Sequence, residues 1–181
     1  MKKHYSNKPF STDKTIVEGQ MNIKGNFLAR WLMPAFKLLG ILVPYQENGV
    51  KTIVTYSSEA DSRLFAFDRI FYFSGREAYN FSSRMLQIKD NVVIEIFKLN
   101  LVWKMKYVYE ENKVRLLHRG YFLKIHKLFI PLPLEAIIGK GYAQEYALSD
   151  DEFAMKMQLV HYLFGVFFEY SGKFKVVSYA E

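Results

Sequence analysis

The sequence predicts a mainly β (α+β) domain: an antiparallel meander of about nine strands forming a barrel or half-barrel, with one N-terminal apolar helix packed in it or capping it. Hydrophobic residues make up 50% of the 181 and aromatic ones 17%, with 16 Phe and 13 Tyr, a bias toward strand-forming side chains that also argues against disorder. From residue 50 onward apolar residues recur with period two. The breaks between runs carry turn chemistry: ENG at 47–49, SG at 74–75, KDN at 89–91, EEN at 110–112, SDD at 149–151 and SG at 171–172. Long strands joined by so many hairpins curl rather than stay flat. One domain accounts for the length, since a chain of roughly 150 residues already hides about 70% of its extended surface.

In chain order, residues 1–18 are polar and basic and read as a flexible arm, which leaves 19–181 as a single β-rich domain. No continuous apolar stretch with a small-residue cleavage site follows the arm, and the chain has no cysteine, so a cytoplasmic location is expected. In NFLARWLMPAFKLLGILVPY, Asn26 is a good N-cap, and Gly40 or Pro44 supplies the stop, so 27–43 is expected to be helical. Arg30 and Lys37 share one narrow stripe of it, and Pro34 is expected to kink or split it. A bilayer span needs about 20 mostly apolar residues, so this segment reads as a core or lid helix, with a membrane-surface helix as the alternative.

The period-two runs then place strands at 50–57, 64–73, 77–87, 91–97, 101–109, 113–124, 141–148, 152–162 and 167–177. The hairpin at 101–124 can be checked against itself. With Glu111 and Asn112 as its loop, Glu110 faces Lys113, Val108 faces Arg115, Lys106 faces Leu117 and Lys104 faces Arg119. The opposite face then sets Trp103, Met105, Tyr107 and Tyr109 against Gly120, His118, Leu116 and Val114, so both alternations agree in one register. KLFIPLPLEAIIGKG interrupts the meander. Pro131 and Pro133 forbid regular ladder bonding there, which suggests an extended edge crossing into a helical turn at Glu135–Ile138.

The formal net charge is +7, and the segment 98–127 carries most of it, with eight Lys or Arg against two Glu. Lys104, Lys106, Arg115 and Arg119 form its outward patch. Such a face serves solubility, or peripheral contact with an anionic membrane together with the apolar helix; nucleic acid is disfavoured, because the face lacks exposed aromatics for base stacking.

Chemistry concentrates in RLFAFDRIFYF, 63–73. Alternation puts Phe65, Phe67, Arg69, Phe71 and Phe73 on one face. A guanidinium removed from water without a partner costs several kcal/mol, so Arg69 requires an acceptor. Glu95, Glu145 and Glu169 are internal candidates, which would make a structural pair. Alternatively Arg69 holds the carboxylate or phosphate head of an amphipathic ligand while the phenylalanines cover its tail. Met157, in the stripe Phe153, Met155, Met157 and Leu159, is core or ligand wall. His118 and His161 lie on apolar faces, where histidines are usually hydrogen-bonded core residues. An enzyme would need Arg69, Glu145 and His161 to converge as an acid–base cluster. SDDE at 149–152 reads as a solvated turn, and no zinc-protease, phosphate-loop or nucleophile-elbow motif is present. No metal or cofactor is expected.

FDRIFYF, PLPLEAIIGKGYAQEY and EFAMKMQLVHYLFGVFFEYSGKF together resemble a bacterial domain family known only as a domain of unknown function, number 4166. The recurring positions of that family fall on Phe67, Arg69 and Phe71, on Pro131, Leu132 and Pro133, on Glu145, and on Tyr170 and Gly172. HYLFG, with His161, departs from relatives that carry a proline before the last glycine pair. The resemblance covers roughly 19–173 and implies no catalytic residue. The sequence therefore suggests an uncharacterised β-domain with a lipid-like or other amphipathic ligand in an apolar cavity. Its ligand set would be Arg69, Phe67, Phe71, Glu145, His161 and Met157. The alternatives are a non-enzymatic module docking on an anionic membrane or a partner protein, and the enzyme just described.

Overall fold

The computed structural model describes residues 7–180. The described strands are β1 (Lys14–Gly25), β2 (Glu47–Ser58), β3 (Phe65–Tyr72), β4 (Tyr79–Lys89), β5 (Val92–Ile96), β6 (Leu101–Glu110), β7 (Lys113–Ile125), β8 (Leu128–Leu132), β9 (Lys140–Ala147), β10 (Glu152–His161) and β11 (Gly165–Ala180). Helix α1 (Phe27–Leu39) joins β1 to β2, and a single turn, α2 (Glu135–Ile138), joins β8 to β9. Neighbours pair antiparallel from β1 to β7, then β7 pairs with β9 and β11 returns to β1, so ten strands close a barrel and β8 is an extra strand. One edge of β7 serves two partners: residues 113–117 bond β9, and 121–125 bond β8.

All nine strands read from alternation are present, and two more were missed. β1 begins at Lys14, inside the stretch assigned to a polar arm, and buries Thr15 and Val17; residues 1–6 lie outside the described residues. The helix is accordingly not N-terminal, because a strand precedes it, and it is not wholly apolar either. β1 escapes a pattern reading because its inward series Val17, Gly19, Met21, Ile23 is interrupted by a glycine. That glycine is a spatial requirement, since a Cβ there would stand 2.1 Å from the Lys173 carbonyl oxygen on β11. The other missed strand, β8, contains Pro131 opposite Phe122, which is tolerated because β8 lies at the margin of the sheet.

The β6–β7 hairpin keeps its expected register from Glu110↔Lys113 to Met105↔His118 and then shifts by one, so Trp103 faces Tyr121 rather than Gly120, and the expected Lys104–Arg119 pair is lost. Gly120, at φ +116°, takes the backbone conformation of this bulge, which an L side chain rarely adopts.

α1 closes one end of the barrel. Asn26 accepts the Ala29 N–H through its side chain at 2.9 Å, and Gly40 ends the helix with an N–H bond to the Phe36 carbonyl. The helix runs through Pro34 as one piece rather than splitting. Ala29, Met33 and Phe36 point into the barrel, where Phe36 meets Phe167 edge-on at 5.9 Å. Phe71, Phe73, Met21, Ile23 and Val43 complete a solid apolar core on this side. The opposite end, reached by the turn between β4 and β5, is not filled in the same way.

Candidate functional site: an interior chamber at the open end

A chamber of about 400 Å³ occupies the half of the barrel away from α1. Its rim carries the exposed Gln87 near the end of β4 and Asp90 and Asn91 of the β4–β5 turn together with Asn7, and its walls are residues of β2, β3, β4, β5, β6, β7, β9, β10 and β11. Trp103 and Met157 form its floor, for both also line a small apolar void of about 30 Å³ on the α1 side.

Arg69 stands in the wall and is only 5% exposed. Its Nη2 donates to Glu95 Oε1 at 2.8 Å and to the Ser83 hydroxyl, and its Nε donates to the Phe81 carbonyl at 3.3 Å. Ser83 in turn donates to the same Glu95 oxygen at 2.6 Å. The guanidinium lies between two rings, 4.2 Å from the centre of Phe67 and 4.4 Å from that of Phe81. The acceptor that a buried cation demands is therefore the internal Glu95, supplied two strands away by β5. Burial pushes the Tyr170 hydroxyl up to about 12, with Arg69 pulling the other way and Glu95 and Glu145 adding to the rise. Tyr56 is likewise raised well above its ordinary value, by burial first and then by Glu145. Both phenols are thus neutral hydrogen-bond donors at physiological pH.

Of the six residues assigned to a ligand site by sequence, the chamber collects Phe67, Arg69, Glu145 and Met157. Phe71 lies in the solid core, stacked on Phe73. His161 belongs to the α1 end. The Leu163 N–H donates to its Nδ1 at 3.1 Å, so the proton sits on Nε2, which donates to the Ala136 carbonyl at 3.1 Å. The enzyme cluster of Arg69, Glu145 and His161 is not assembled. The turn at 149–152 is ordered by Ser149 Oγ, which accepts the Asp151 and Glu152 N–H groups.

Sequence reasoning missed Tyr56, Tyr107 and Tyr170 as chamber residues. The same alternation would have found Tyr56, since it follows the buried Val50, Thr52 and Val54 at two-residue steps.

The chamber floor is held by a polar chain. Trp103 Nε1 donates to His118 Nδ1 at 3.0 Å, the Gly141 N–H donates to the same nitrogen at 3.3 Å, and His118 Nε2 donates to Glu135 Oε1 at 2.9 Å. Burial, partly opposed by Glu135, lowers the pKa of His118 below the ordinary 6.5. The neutral ring is therefore favoured in the fold, and its stabilisation is complete above pH 6.5, shrinking as pH falls from there through the depressed value. In urea unfolding, the native protein is expected to lose more stability between neutral and mildly acidic pH than His118→Gln does. Equal slopes would show that this ring does not couple the floor to pH.

The fold and site together define a closed β-barrel with a polar-patched interior chamber. The chain belongs to the family described as "Domain of unknown function (DUF4166)", which matches residues 1–174. No curated protein matches it. Among solved structures, it is similar to the dehydratase domain of the polyketide PpsC from Mycobacterium tuberculosis, at 5% identity and a TM-score of 0.21, over 96% of this chain and 78% of that one. No helix among the described residues is long and apolar enough to cross a membrane.

Proposed function

We propose that the barrel binds a small amphipathic molecule whose apolar part fills the chamber. The chamber carries this reading: its volume falls in the range of small-molecule sites, and Phe65, Phe67, Met85, Met155 and Met157 surround a few fixed polar groups. The head group differs from the anion that Arg69 by itself would suggest. That cation is already neutralised by Glu95, and the described lining holds one cation, Arg69, against three carboxylates, Asp90, Glu95 and Glu145. Tyr56 and Tyr170 add hydroxyl groups beside them. Such surroundings favour a neutral hydroxyl or an ammonium head and repel a carboxylate.

Displacement of an apolar fluorophore from the purified, delipidated protein tests this. Dodecanol and dodecylamine are expected to compete about tenfold better than dodecanoate, which corresponds to about 1.4 kcal/mol. Ala143→Phe, which projects a ring into the chamber from β9, is expected to abolish dye uptake while leaving the fold intact. A protein that takes up no dye, or prefers dodecanoate, contradicts the reading.

A further inference from the structure

The closed end of the barrel carries an apolar surface that the chamber does not explain. On α1 the buried stripe Ala29, Met33, Phe36 is backed by an exposed one, Phe27, Trp31 and Leu38, and Trp31 and Leu38 are 77% and 80% exposed. These three recur at helical spacing, so they share a face. The turn between β10 and β11 adds Tyr162, Leu163 and Phe164, all exposed. Turns are ordinarily polar, and three consecutive large apolar residues at a hairpin tip are an exception.

Contacts within the chain bring these segments to one end. The Asn26 N–H donates to the Phe167 carbonyl at 3.0 Å, which sets the start of α1 beside the start of β11 and thus beside the 162–164 turn. His161, at the base of that turn, bonds the Ala136 carbonyl and brings in the exposed Ile137 of α2. At the other end of α1, the Lys98 side chain lies against Gly40, so the exposed Leu99 adjoins the helix C-terminus.

Charge selects the occupant. Exposed Arg30 and Lys37 on α1, Lys98 beside Leu99 and Lys140 just after α2 are interspersed with the apolar groups. Of the carboxylates near this end, Glu169 is paired with Lys156, Glu135 and Glu47 keep their charge in hydrogen bonds to the neutral His118 and Ser74, and Glu77 follows Arg76 in the chain, so the cations still outnumber them. From these observations we infer that the closed end of the barrel docks on an anionic lipid surface. Trp31 and Tyr162 seat at the headgroup level, Leu38, Leu163 and Phe164 reach below it, and the four cations meet acidic headgroups. A second copy of the chain is a poorer partner, because a two-fold contact through this face would set the same cations against one another. Docked in this way, the chamber mouth at the opposite end faces water. The inference is independent of what the chamber binds.

Trp31 supplies its own probe, because the other tryptophan, Trp103, is buried in the barrel. The full chain is expected to sediment with phosphatidylcholine vesicles containing phosphatidylserine at low salt, and less so at high salt. Its fluorescence is expected to shift to the blue on binding, and Trp31→Phe is expected to remove that shift. Leu38→Ala combined with Leu163→Ala is expected to weaken binding by about tenfold or more with a nearly unchanged thermal midpoint, since the two side chains are 80% and 66% exposed in the free protein. At about 0.15 M salt, where exposed charges more than about 8 Å apart are largely screened, Lys104→Gln with Arg119→Gln, on the side wall of the barrel, is expected to leave binding within about twofold of native. Absence of sedimentation with acidic vesicles at low salt overturns the inference. So does a blue shift that follows protein concentration without lipid, which would assign the face to another copy of the chain.

Discussion

Glu95→Ala is expected to destabilise the protein by about 3–5 kcal/mol, because it strands a buried guanidinium. Arg69 and Glu95 are 6% and 8% exposed at their side chains, so neither is solvated by bulk water in the fold. Ser83 and the Phe81 carbonyl remain as acceptors for Arg69 after the substitution, yet neither carries charge. Removing both charges is a different experiment. Arg69→Met with Glu95→Leu keeps the volume and takes away the desolvation cost of two ions, and such replacements are often neutral or stabilising by about 1–4 kcal/mol. The double variant is therefore expected to recover most of the loss, and with the single variants Arg69→Met and Glu95→Leu and the native protein it completes a cycle whose non-additivity measures the coupling of the pair. Urea midpoints of the four proteins decide it. A loss below about 1 kcal/mol for Glu95→Ala would show that Arg69 finds another carboxylate or water across the chamber, and would reopen it as an anion-binding group.

Arg69 also shows how far the sequence reaches. Alternation in β3 placed it inward, and the cost of burying a charge demanded a partner. Both conclusions are properties of local pattern and elementary electrostatics, so no fold was needed to reach them. Glu95 was one of three acceptors of suitable parity, and only the pairing β3–β4–β5 brings it rather than Glu145 or Glu169 to Nη2. Long-range register of this kind is not written in any single strand. The barrel itself was legible because nine strands alternate strongly, whereas β1 hid its period behind Gly19. The same limit explains the site. Phe67 and Phe71 have the same parity and are indistinguishable by pattern, but four residues of rise along a tilted strand carry Phe71 out of the chamber and into the core under α1. His161 has inward parity too, and it lies at the wrong end. Periodicity reports which face a side chain occupies; depth along the barrel depends on closure and on what plugs each end.

Phe167→Ala is expected to cost about 3–5 kcal/mol, and comparison with Phe36→Ala tests whether α1 is a plug or a lid. Between β10 and β11 the register shifts, so that Leu159 pairs with Phe168 while Val160 pairs with Val166, and Phe167 is the extra residue of the bulge. It is fully buried all the same, as is Phe168, and its ring packs against Phe36 of α1. Truncating it leaves a cavity beside strands bonded on both sides, which cannot collapse into the space, so the loss is expected to be global. Phe36 makes the same ring contact from a helix held by side-chain packing and by the bond from Asn26 to Phe167. If α1 can open without the barrel, its amides exchange through local opening, and Phe36→Ala accelerates exchange at 27–39 while the urea midpoint falls much less than for Phe167→Ala. If the two variants lose equal global stability and strand and helix amides accelerate together, α1 is part of the cooperative core. The first outcome is the expected one, since sequential hydrogen bonds tie every barrel strand to two neighbours, and α1 has no such ladder to the sheet.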